Sequence, residues 1–213
     1  MTGKFIVFEG GEGSGKTGAI DIAHQAIREL TQMEPLRTRE PGGTPGAESI
    51  RSILITDGAN YDPIANCLLF AAARRDHIEK VIKPALDSGK WVICDRYVLS
   101  TIAYQGAEGV EKDFIIDLHN KTTDSLYPDH TIILDVDPVI GLSRSQKRLT
   151  QEQSNENRFE AYEIDFHRKM RQSMLDYNLS PMTIIDAAPS EESVRGSVRT
   201  AMESIILSLC NIE

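Results

Sequence analysis

Cysteines are few in this sequence, and their placement excludes two kinds of structural support. Only three occur among 213 residues, at Cys67, Cys94 and Cys210. They lie far apart in apolar surroundings, and neither a C-x-x-C pair nor a Cys/His spacing typical of zinc is present. We therefore expect no disulfide framework and no zinc site, but three buried core thiols in a reducing compartment.

Long hydrophobic runs are also lacking. No apolar stretch approaches the roughly 20 residues that a membrane-spanning helix needs. The N-terminus does not carry a basic segment followed by an apolar one, which is the pattern of a secretion signal. Both absences predict a cytoplasmic protein without a membrane partner.

Positive charge is in deficit. Asp and Glu number 32 against 23 Lys and Arg, which gives a formal net charge of −9. A protein that binds long nucleic acid needs a basic face, so no polymeric nucleic acid is expected as a partner. Small nucleotides are still compatible with this charge, because a local cluster of arginines and lysines can oppose the overall sign.

The sequence does contain a regular alternation of apolar runs and helical patterns. Its length suffices for one α/β domain with a good core, and no linker divides it, so residues 1–213 are predicted to form a single domain. The apolar runs that predict strands occupy residues 5–8, 36–38, 91–94, 131–134 and 183–185. The helical patterns between them predict a central parallel five-stranded sheet with helices on both faces.

The most informative motif is Gly-Gly-Glu-Gly-Ser-Gly-Lys-Thr at residues 10–17. It matches G-x-x-x-x-G-K-[ST], the phosphate-binding loop, and lies between a predicted strand and a predicted helix, as that loop requires. The backbone amides of such a loop cradle phosphate oxygens, its lysine reaches the β- and γ-phosphates, and its hydroxyl ligates Mg²⁺. The sequence therefore predicts a P-loop NTPase fold that binds a nucleoside triphosphate through Gly10, Gly11, Glu12, Gly13, Ser14, Gly15, Lys16 and Thr17.

Charged residues follow every predicted strand. They are Glu9, Arg39 with Glu40, Asp95 with Arg96, Asp135, and Asp186. Ligands of open α/β sheets bind at the carboxyl ends of the strands. We therefore expect these side chains to gather at the edge of the sheet where a nucleotide binds.

Residues 143–160 form an almost wholly polar segment that carries Arg144, Lys147, Arg148 and Arg158. Such a composition cannot offset the entropy cost of ordering, so a mobile polar loop is predicted. It is either a surface insertion or a lid whose arginines close over phosphates.

Several stretches carry a resemblance that extends over nearly the whole chain. They are residues 8–17, FEGGEGSGKT; 38–44, TREPGGT; 69–74, LFAAAR; 95–97, DRY; 100–106, STIAYQG; and 157–160, NRFE. Together they resemble the thymidylate kinase (dTMP kinase) family of the nucleoside monophosphate kinase group. The resemblance implies transfer of the γ-phosphoryl group of ATP to dTMP, with Mg²⁺ as the metal. It also implies a homodimer that pairs through helices beside the base site. The helix predicted at residues 63–78 has enough apolar residues for both a core face and an interface, and the sequence leaves the two uses open.

The resemblance implies a role for each charged group near the phosphates. Lys16 and the loop amides would hold the donor phosphates, whereas Thr17 and Asp95 would contact Mg²⁺, with Asp95 acting through water. The arginines that would bind the acceptor phosphate are Arg39, Arg96 and, unless it is a solvated charge on a helix, Arg51.

The resemblance also implies where the base and the sugar bind. Phe70 and Arg74 lie four residues apart and share a helix face; they would stack on thymine and reach its O4. The other residues that would line this end are Ser100, Thr101, Tyr104 and Gln105. A crowded pocket around Tyr104 would favour deoxyribose over ribose. Without the resemblance, Phe70 would more often be a core residue.

The phosphate loop contains Glu12 but no basic residue before its lysine. The family places an acidic residue here near the acceptor sugar and the transferring phosphoryl group; otherwise Glu12 would be an exposed loop carboxylate. The loop resembles the bacterial type, in which the lid supplies an arginine. Arg158 would then stabilise the transferred phosphoryl group, Arg144 and Arg148 would assist, and Arg144 would lie near the adenine.

Two alternatives are left open by these patterns. A kinase for dUMP, dCMP or a purine monophosphate would share the phosphate loop, although an arginine at position 74 suits a 4-oxo pyrimidine because arginine only donates. A GTPase switch would need D-x-x-G and N-K-x-D motifs. The first does not occur, and residues 120–124, NKTTD, miss the second by one residue.

Overall fold

The computed structural model describes residues 3–55, 61–152 and 162–210. Five parallel strands form one sheet in the order β2-β3-β1-β4-β5. The predicted strands are confirmed, and each observed end lies within one residue of its predicted position. The strands are β1 (Phe5–Glu9), β2 (Leu36–Arg39), β3 (Val92–Asp95), β4 (His130–Asp135) and β5 (Met182–Asp186).

Helices cover both faces of the sheet. They are α1 (Lys16–Thr31), α2 (Pro45–Ile55), α3 (Pro63–His77), α4 (Lys83–Asp87), α5 (Val98–Ala107), α6 (Lys112–Thr123), α7 (Pro138–Glu152), α8 (Ile164–Asp176) and α9 (Glu191–Cys210). A π-helical turn (Ile78–Ile82) joins α3 to α4. Helix α3 begins with proline at its first turn, and the Asp62 carboxylate caps it by accepting from the backbone amide of Ile64 at 2.9 Å.

The core lies on both sides of the sheet, as the continuous apolar runs require. Along β1, Ile6 and Phe8 pack under α1 and α9 on one face. Phe5 and Val7 pack on the other face, which α3, α5 and α6 cover. Successive residues of β1 thus serve opposite faces of the sheet. Because the strands are parallel and the phosphate loop follows β1, the loop lies at the carboxyl edge of the sheet.

Pairing of the three strands β2, β3 and β1 positions the predicted site. Phe8 lies opposite Asp95, and Arg39 lies opposite Asp95 on the other side. The residue after β3, Arg96, donates its backbone N–H to the carbonyl of Phe8 at 2.9 Å. The charged ends of these strands are therefore neighbours in space, as expected.

Two sequence predictions need correction. Residues 143–152, predicted to be part of a mobile loop, continue helix α7 to Glu152; Gln, Lys, Arg and Leu in this stretch are good helix formers, and their propensity prevails over the polar composition. Residues 153–160 lie outside the described part of the chain. Cys67 and Cys94 are buried as predicted, but Cys210 is only half-buried at the end of α9.

Across residues 3–55, 61–152 and 162–210, none of the helices combines the length and the apolar character that a bilayer crossing would demand.

Candidate active site

The phosphate loop folds tightly between β1 and α1. Gly13 has a φ of 65°, and a Cβ added there would lie 1.9 Å from the carbonyl oxygen of Gly141 in α7. Only glycine fits this position, because the backbone conformation and the approach of another main chain both exclude a side chain. Lys16, the first residue of α1, folds back over the loop and donates from Nζ to the carbonyls of Gly10 at 3.0 Å and Gly11 at 3.2 Å.

Lys16 occupies an environment that disfavours its charge. Burial lowers the pKa of its ammonium group to about 8, and the neighbouring Arg96 adds to this effect, whereas Asp95 and Glu12 oppose it. An anionic ligand at the loop would stabilise the charged form. A phosphate close to Nζ would therefore be bound with a favourable charge interaction.

Glu12 and Arg96 form a partly buried ion pair beside Lys16. Arg96 donates from Nη2 to Oε1 of Glu12 at 3.0 Å and from Nη1 to Oγ of Ser100 at 3.1 Å. The hydroxyl of Tyr104 donates to the same Glu12 oxygen, and the Arg96 guanidinium lies 5.2 Å from the centre of the Tyr104 ring. Burial raises the pKa of Glu12, but Arg96 and Lys16 outweigh it and the net direction is downward. Glu12 is therefore an ionised, buried carboxylate and not an exposed one.

Asp95 is the carboxylate that best suits a metal ion. Its Oδ1 is buried and has no hydrogen-bond partner among residues 3–55, 61–152 and 162–210. Both Asp95 and the exposed Thr17 line the same cleft. The described part of the chain contains no cluster of three metal-ligating side chains. This arrangement fits Mg²⁺, which uses one or two protein oxygens and takes most other ligands from phosphate and water.

One cleft, here called the aromatic cleft, contains every predicted substrate residue except Arg39. Its lining includes Arg51, Phe70, Arg74, Arg96, Tyr97, Ser100, Thr101, Tyr104 and Gln105. Phe70 is half-buried on α3 and faces this space. The sequence placed these side chains on three separate segments, and the fold brings them together.

Arg74 is fixed deep in the aromatic cleft. Its side chain is 4% exposed, donates from Nε to Oε2 of Glu40 at 2.7 Å, and donates from Nη2 to Oγ1 of Thr101 at 3.0 Å. Within the described residues, Nη1 makes no further hydrogen bond. Gln105 is also buried there, and its Oε1 has no partner in that part of the chain. The cleft thus offers the unused Nη1 group of Arg74 as a donor and the unused side-chain carbonyl of Gln105 as an acceptor to a ligand.

A second cleft, the loop cleft, lies over the phosphate loop and continues toward α9. Its lining includes Gly13, Ser14, Gly15, Lys16, Thr17, Arg39, Asp95, Arg144, Ala187 and Arg195. Arg144 donates to the carbonyls of Ala187 at 2.6 Å and Ala188 at 2.9 Å, so α7 is tied to the segment after β5. The two clefts share Gly13, Lys16, Glu40, Arg51 and Arg96.

The remaining predicted arginines are placed differently. Arg39 lies at the loop cleft and pairs with both carboxylate oxygens of Glu48, at 2.9 and 3.0 Å. Arg51 lines both clefts and donates to the carbonyl of Pro41 at 3.2 Å. The side chain of Arg148 and all of Arg158 lie outside the described part of the chain.

Sequence reasoning missed the part played by Glu9. Its side chain is fully buried and accepts from the backbone amides of Tyr97 at 2.8 Å and Ser100 at 3.1 Å. Burial raises the pKa of this carboxyl group, although the hydrogen bonds from Ser100 and the charge of Arg96 oppose the shift. Glu9 holds the start of α5, which carries Ser100, Thr101 and Tyr104 into the aromatic cleft. A carboxylate at the end of an apolar strand was the available signal.

Comparison with known proteins gives a consistent result. A family model described as thymidylate kinase matches residues 8–198. The thymidylate kinase of Magnetococcus marinus is 45% identical over 177 residues, which is 82% of each protein. That of Nitrobacter hamburgensis is 41% identical over 97% of this chain and 91% of its own length.

Among solved structures, the crystal structure of thymidylate kinase from Ehrlichia chaffeensis is similar with a TM-score of 0.74 at 30% sequence identity, and covers 97% of this chain and 100% of its own. The likeness confirms the P-loop NTPase fold. Together with the family match, it excludes the GTPase alternative; residues 120–124 moreover lie at the end of α6 and do not follow a strand. The chain belongs to the thymidylate kinase family.

Proposed function

We propose that the chain performs the reaction of its family at the point where the two clefts meet. As a member of that family, it phosphorylates dTMP to dTDP with ATP as the phosphate donor. One observation carries the assignment of the two substrates: the aromatic cleft and the loop cleft share Lys16 and Arg96. A monophosphate in the first and a triphosphate in the second would bring their phosphates together there.

The loop cleft is the proposed ATP site. Lys16 and the amides of residues 10–17 hold the β- and γ-phosphates, and Arg144 with residues 187–189 forms the outer wall near the adenine. Thr17 and Asp95 would hold Mg²⁺, which would neutralise part of the negative charge of the phosphates. The unpartnered Oδ1 of Asp95 supports this assignment.

Arg96 is proposed to bind the acceptor phosphate. Its guanidinium is anchored by Ser100 and Glu12 and retains further N–H groups for phosphate oxygens, which match a planar guanidinium well. Arg51 lines both clefts and Arg39 lines the loop cleft, so both can add positive charge as two anionic substrates approach. Catalysis of this kind depends on positioning and charge neutralisation more than on covalent chemistry.

Base selection is proposed to rest on Phe70, Arg74 and Gln105. Phe70 stacks on the ring, the unused Nη1 of Arg74 donates to the 4-oxo group, and the unused Oε1 of Gln105 accepts from N3–H. Cytosine presents an amino group and an unprotonated N3 at these two places, so both contacts would fail. Uracil lacks only one methyl group, worth about 1–2 kcal/mol, so weaker activity with dUMP is expected.

The sugar is proposed to lie against Tyr104 and the buried carboxylate of Glu12. Tyr104 is 5% exposed and bonds to Glu12, which leaves little room for an additional hydroxyl on ribose. Glu12 Oε2 is buried without a hydrogen bond in the described residues and can accept from a sugar hydroxyl.

We also propose that residues 1–213 act as one cytoplasmic kinase domain that forms a homodimer. Helix α3 exposes Ile64 and Leu68, whose relative exposures are 49% and 51%, which supports pairing through this helix. Residues 143–160 act as the lid in this proposal. Arg158 stabilises the transferred phosphoryl group, and Arg144 and Arg148 assist it.

The test is an ADP-release assay with Mg-ATP against dTMP, dUMP, dCMP, dGMP and AMP. Preference for dTMP, followed by dUMP, supports the base site. Preference for dCMP or a purine nucleotide would contradict the roles of Arg74 and Gln105. Turnover that does not depend on any acceptor would contradict the whole proposal.

A further inference from the structure

His77 occupies the centre of a buried polar chain that runs from β2 to the aromatic cleft. Its Nε2 lies 2.7 Å from Oγ1 of Thr38, and its Nδ1 lies 3.3 Å from Oε1 of Glu40. The other oxygen of Glu40 accepts from Nε of Arg74 at 2.7 Å. The side chains of His77, Glu40 and Arg74 are 0%, 4% and 4% exposed, so water has little access to the two bonds that Glu40 accepts.

The ionisation of Glu40 fixes the direction of the hydrogen bonds in this buried series. Burial raises the pKa of Glu40, but Arg74 and His77 outweigh it, so the pKa is lowered and the carboxylate accepts on both oxygens. The Nδ1 atom of His77 must then donate. In a neutral ring, Nε2 then accepts from the Thr38 hydroxyl, and the tautomer that carries its proton on Nδ1 is selected.

We infer that His77 is a positioning residue for base recognition, because it orients Glu40 and Glu40 in turn orients the Arg74 guanidinium toward the base. This rests on the proposed role of Arg74 in the aromatic cleft. With Nε bound to Glu40 and Nη2 bound to Thr101, Nη1 is the group directed to the 4-oxo atom. Loss of the His77 bond frees the carboxylate to turn, and Arg74 turns with it.

The surroundings of His77 suit a fixed ring. His77 and Arg74 lie three residues apart on one face of α3. Gly43 closes over the ring, since a Cβ there would lie 2.4 Å from Nε2 of His77 and 2.9 Å from Oγ1 of Thr38. An apolar side chain at position 77 could fill the space, but it would leave a buried oxygen of Glu40 without a partner.

Three variants test the inference: His77→Leu, which removes both bonds; His77→Gln, which retains a donor and an acceptor; and Thr38→Val, which removes only the outer bond. His130→Leu is the matched control, because His130 forms the same type of bond to Oγ1 of Thr183, at 2.9 Å, but at the opposite edge of the sheet. For each folded variant, kcat and KM are measured for dTMP, dCMP and ATP, alongside thermal unfolding.

We expect His77→Leu to raise KM for dTMP about 10- to 100-fold and to reduce the dTMP/dCMP ratio of kcat/KM by a similar factor, with KM for ATP nearly unchanged. His77→Gln should restore most of the ratio, and Thr38→Val should reduce it slightly. If His77→Leu does not fold, Thr38→Val carries the test, because loss of the outer bond should still lower the ratio while KM for ATP stays the same. An equal loss with all acceptors, or an unchanged ratio in His77→Leu or, where that variant does not fold, in Thr38→Val, would overturn the inference.

Arg74→Met separates this inference from the proposed function. If Arg74→Met leaves the base preference unchanged, the proposed base site fails. If Arg74→Met abolishes the base preference while His77→Leu, His77→Gln and Thr38→Val all retain it, only the role of His77 fails.

Discussion

Arg96 donates from Nη2 to Oε1 of Glu12 across 3.0 Å, although 84 positions separate the two residues. The pair connects the phosphate loop to the end of β3 where both clefts meet. Arg96 adopts a left-handed backbone with a φ of 68° at the point where the polypeptide leaves β3. A carboxylate inside a phosphate loop is therefore explained by the cation beside it.

Replacement of Glu12 by Gln should reduce turnover. The amide can still accept a hydrogen bond, but a charge-assisted bond worth about 1.5–3 kcal/mol is lost, so kcat should fall about 10- to 100-fold. Steady-state kinetics with dTMP and ATP measure this. Glu34→Gln, at a side chain 66% exposed, is the control. An unchanged kcat in a folded Glu12→Gln protein would contradict the role of Glu12.

The pH dependence of ATP use should report Lys16. Its pKa is lowered to about 8 in the unliganded protein, and phosphate binding needs the charged form. The charged form predominates below the pKa, so kcat/KM for ATP should fall as the pH rises above about 8. In Lys16→Arg, whose guanidinium stays protonated, the decline should disappear from whatever activity is left. The same decline in both proteins would exclude Lys16 as its source.

Two glycines in one segment should respond oppositely to alanine. At Gly13, the left-handed φ and the contact with Gly141 make a Cβ costly, so Gly13→Ala should destabilise the protein by about 1–3 kcal/mol or more and weaken ATP binding. At Gly18, in the first turns of α1, no atom lies within 4 Å of an added Cβ. Gly18→Ala should therefore stabilise by about 1 kcal/mol. Urea unfolding of both variants measures the difference, and equal effects would refute the structural reason.

Asp95→Asn should weaken Mg²⁺ use specifically. The substitution keeps the size of the side chain but removes the negative charge of the carboxylate to which the unpartnered Oδ1 belongs. The Mg²⁺ concentration for half-maximal ADP release should rise, and kcat should fall about 10- to 100-fold. Calorimetric titration of ATP with and without Mg²⁺ provides a readout independent of turnover. An identical Mg²⁺ dependence would assign the metal to other groups.

The sequence predicted what local patterns determine. Each strand is a continuous apolar run, and the phosphate loop is contiguous, so both could be recognised without tertiary information. The hydrogen bonds from His77 through Glu40 to Arg74 could not, because Glu40 follows β2 whereas His77 and Arg74 lie on α3, and their contact depends on how α3 packs on the sheet. Glu9 was missed for the same reason: its partners lie 88 and 91 positions away.

The helical course of residues 143–152 shows that a local pattern can also mislead. Composition indicated a loop because the segment has few apolar residues, yet Ser145 is buried and α7 contacts α8. A surface helix needs only a narrow buried stripe, and the remainder can be polar when its residues favour helix.

The strand order has a consequence for folding. The central strand β1 pairs only with β3 and β4, which lie more than eighty positions further along the chain. Closing such long segments costs entropy and slows folding, so we expect the phosphate loop to gain its contacts with β3 and β4 late. Interactions that form after the rate-limiting step change the unfolding rate and leave the folding rate almost unaltered. Bound nucleotide should therefore extend the lifetime of the native state without accelerating its formation.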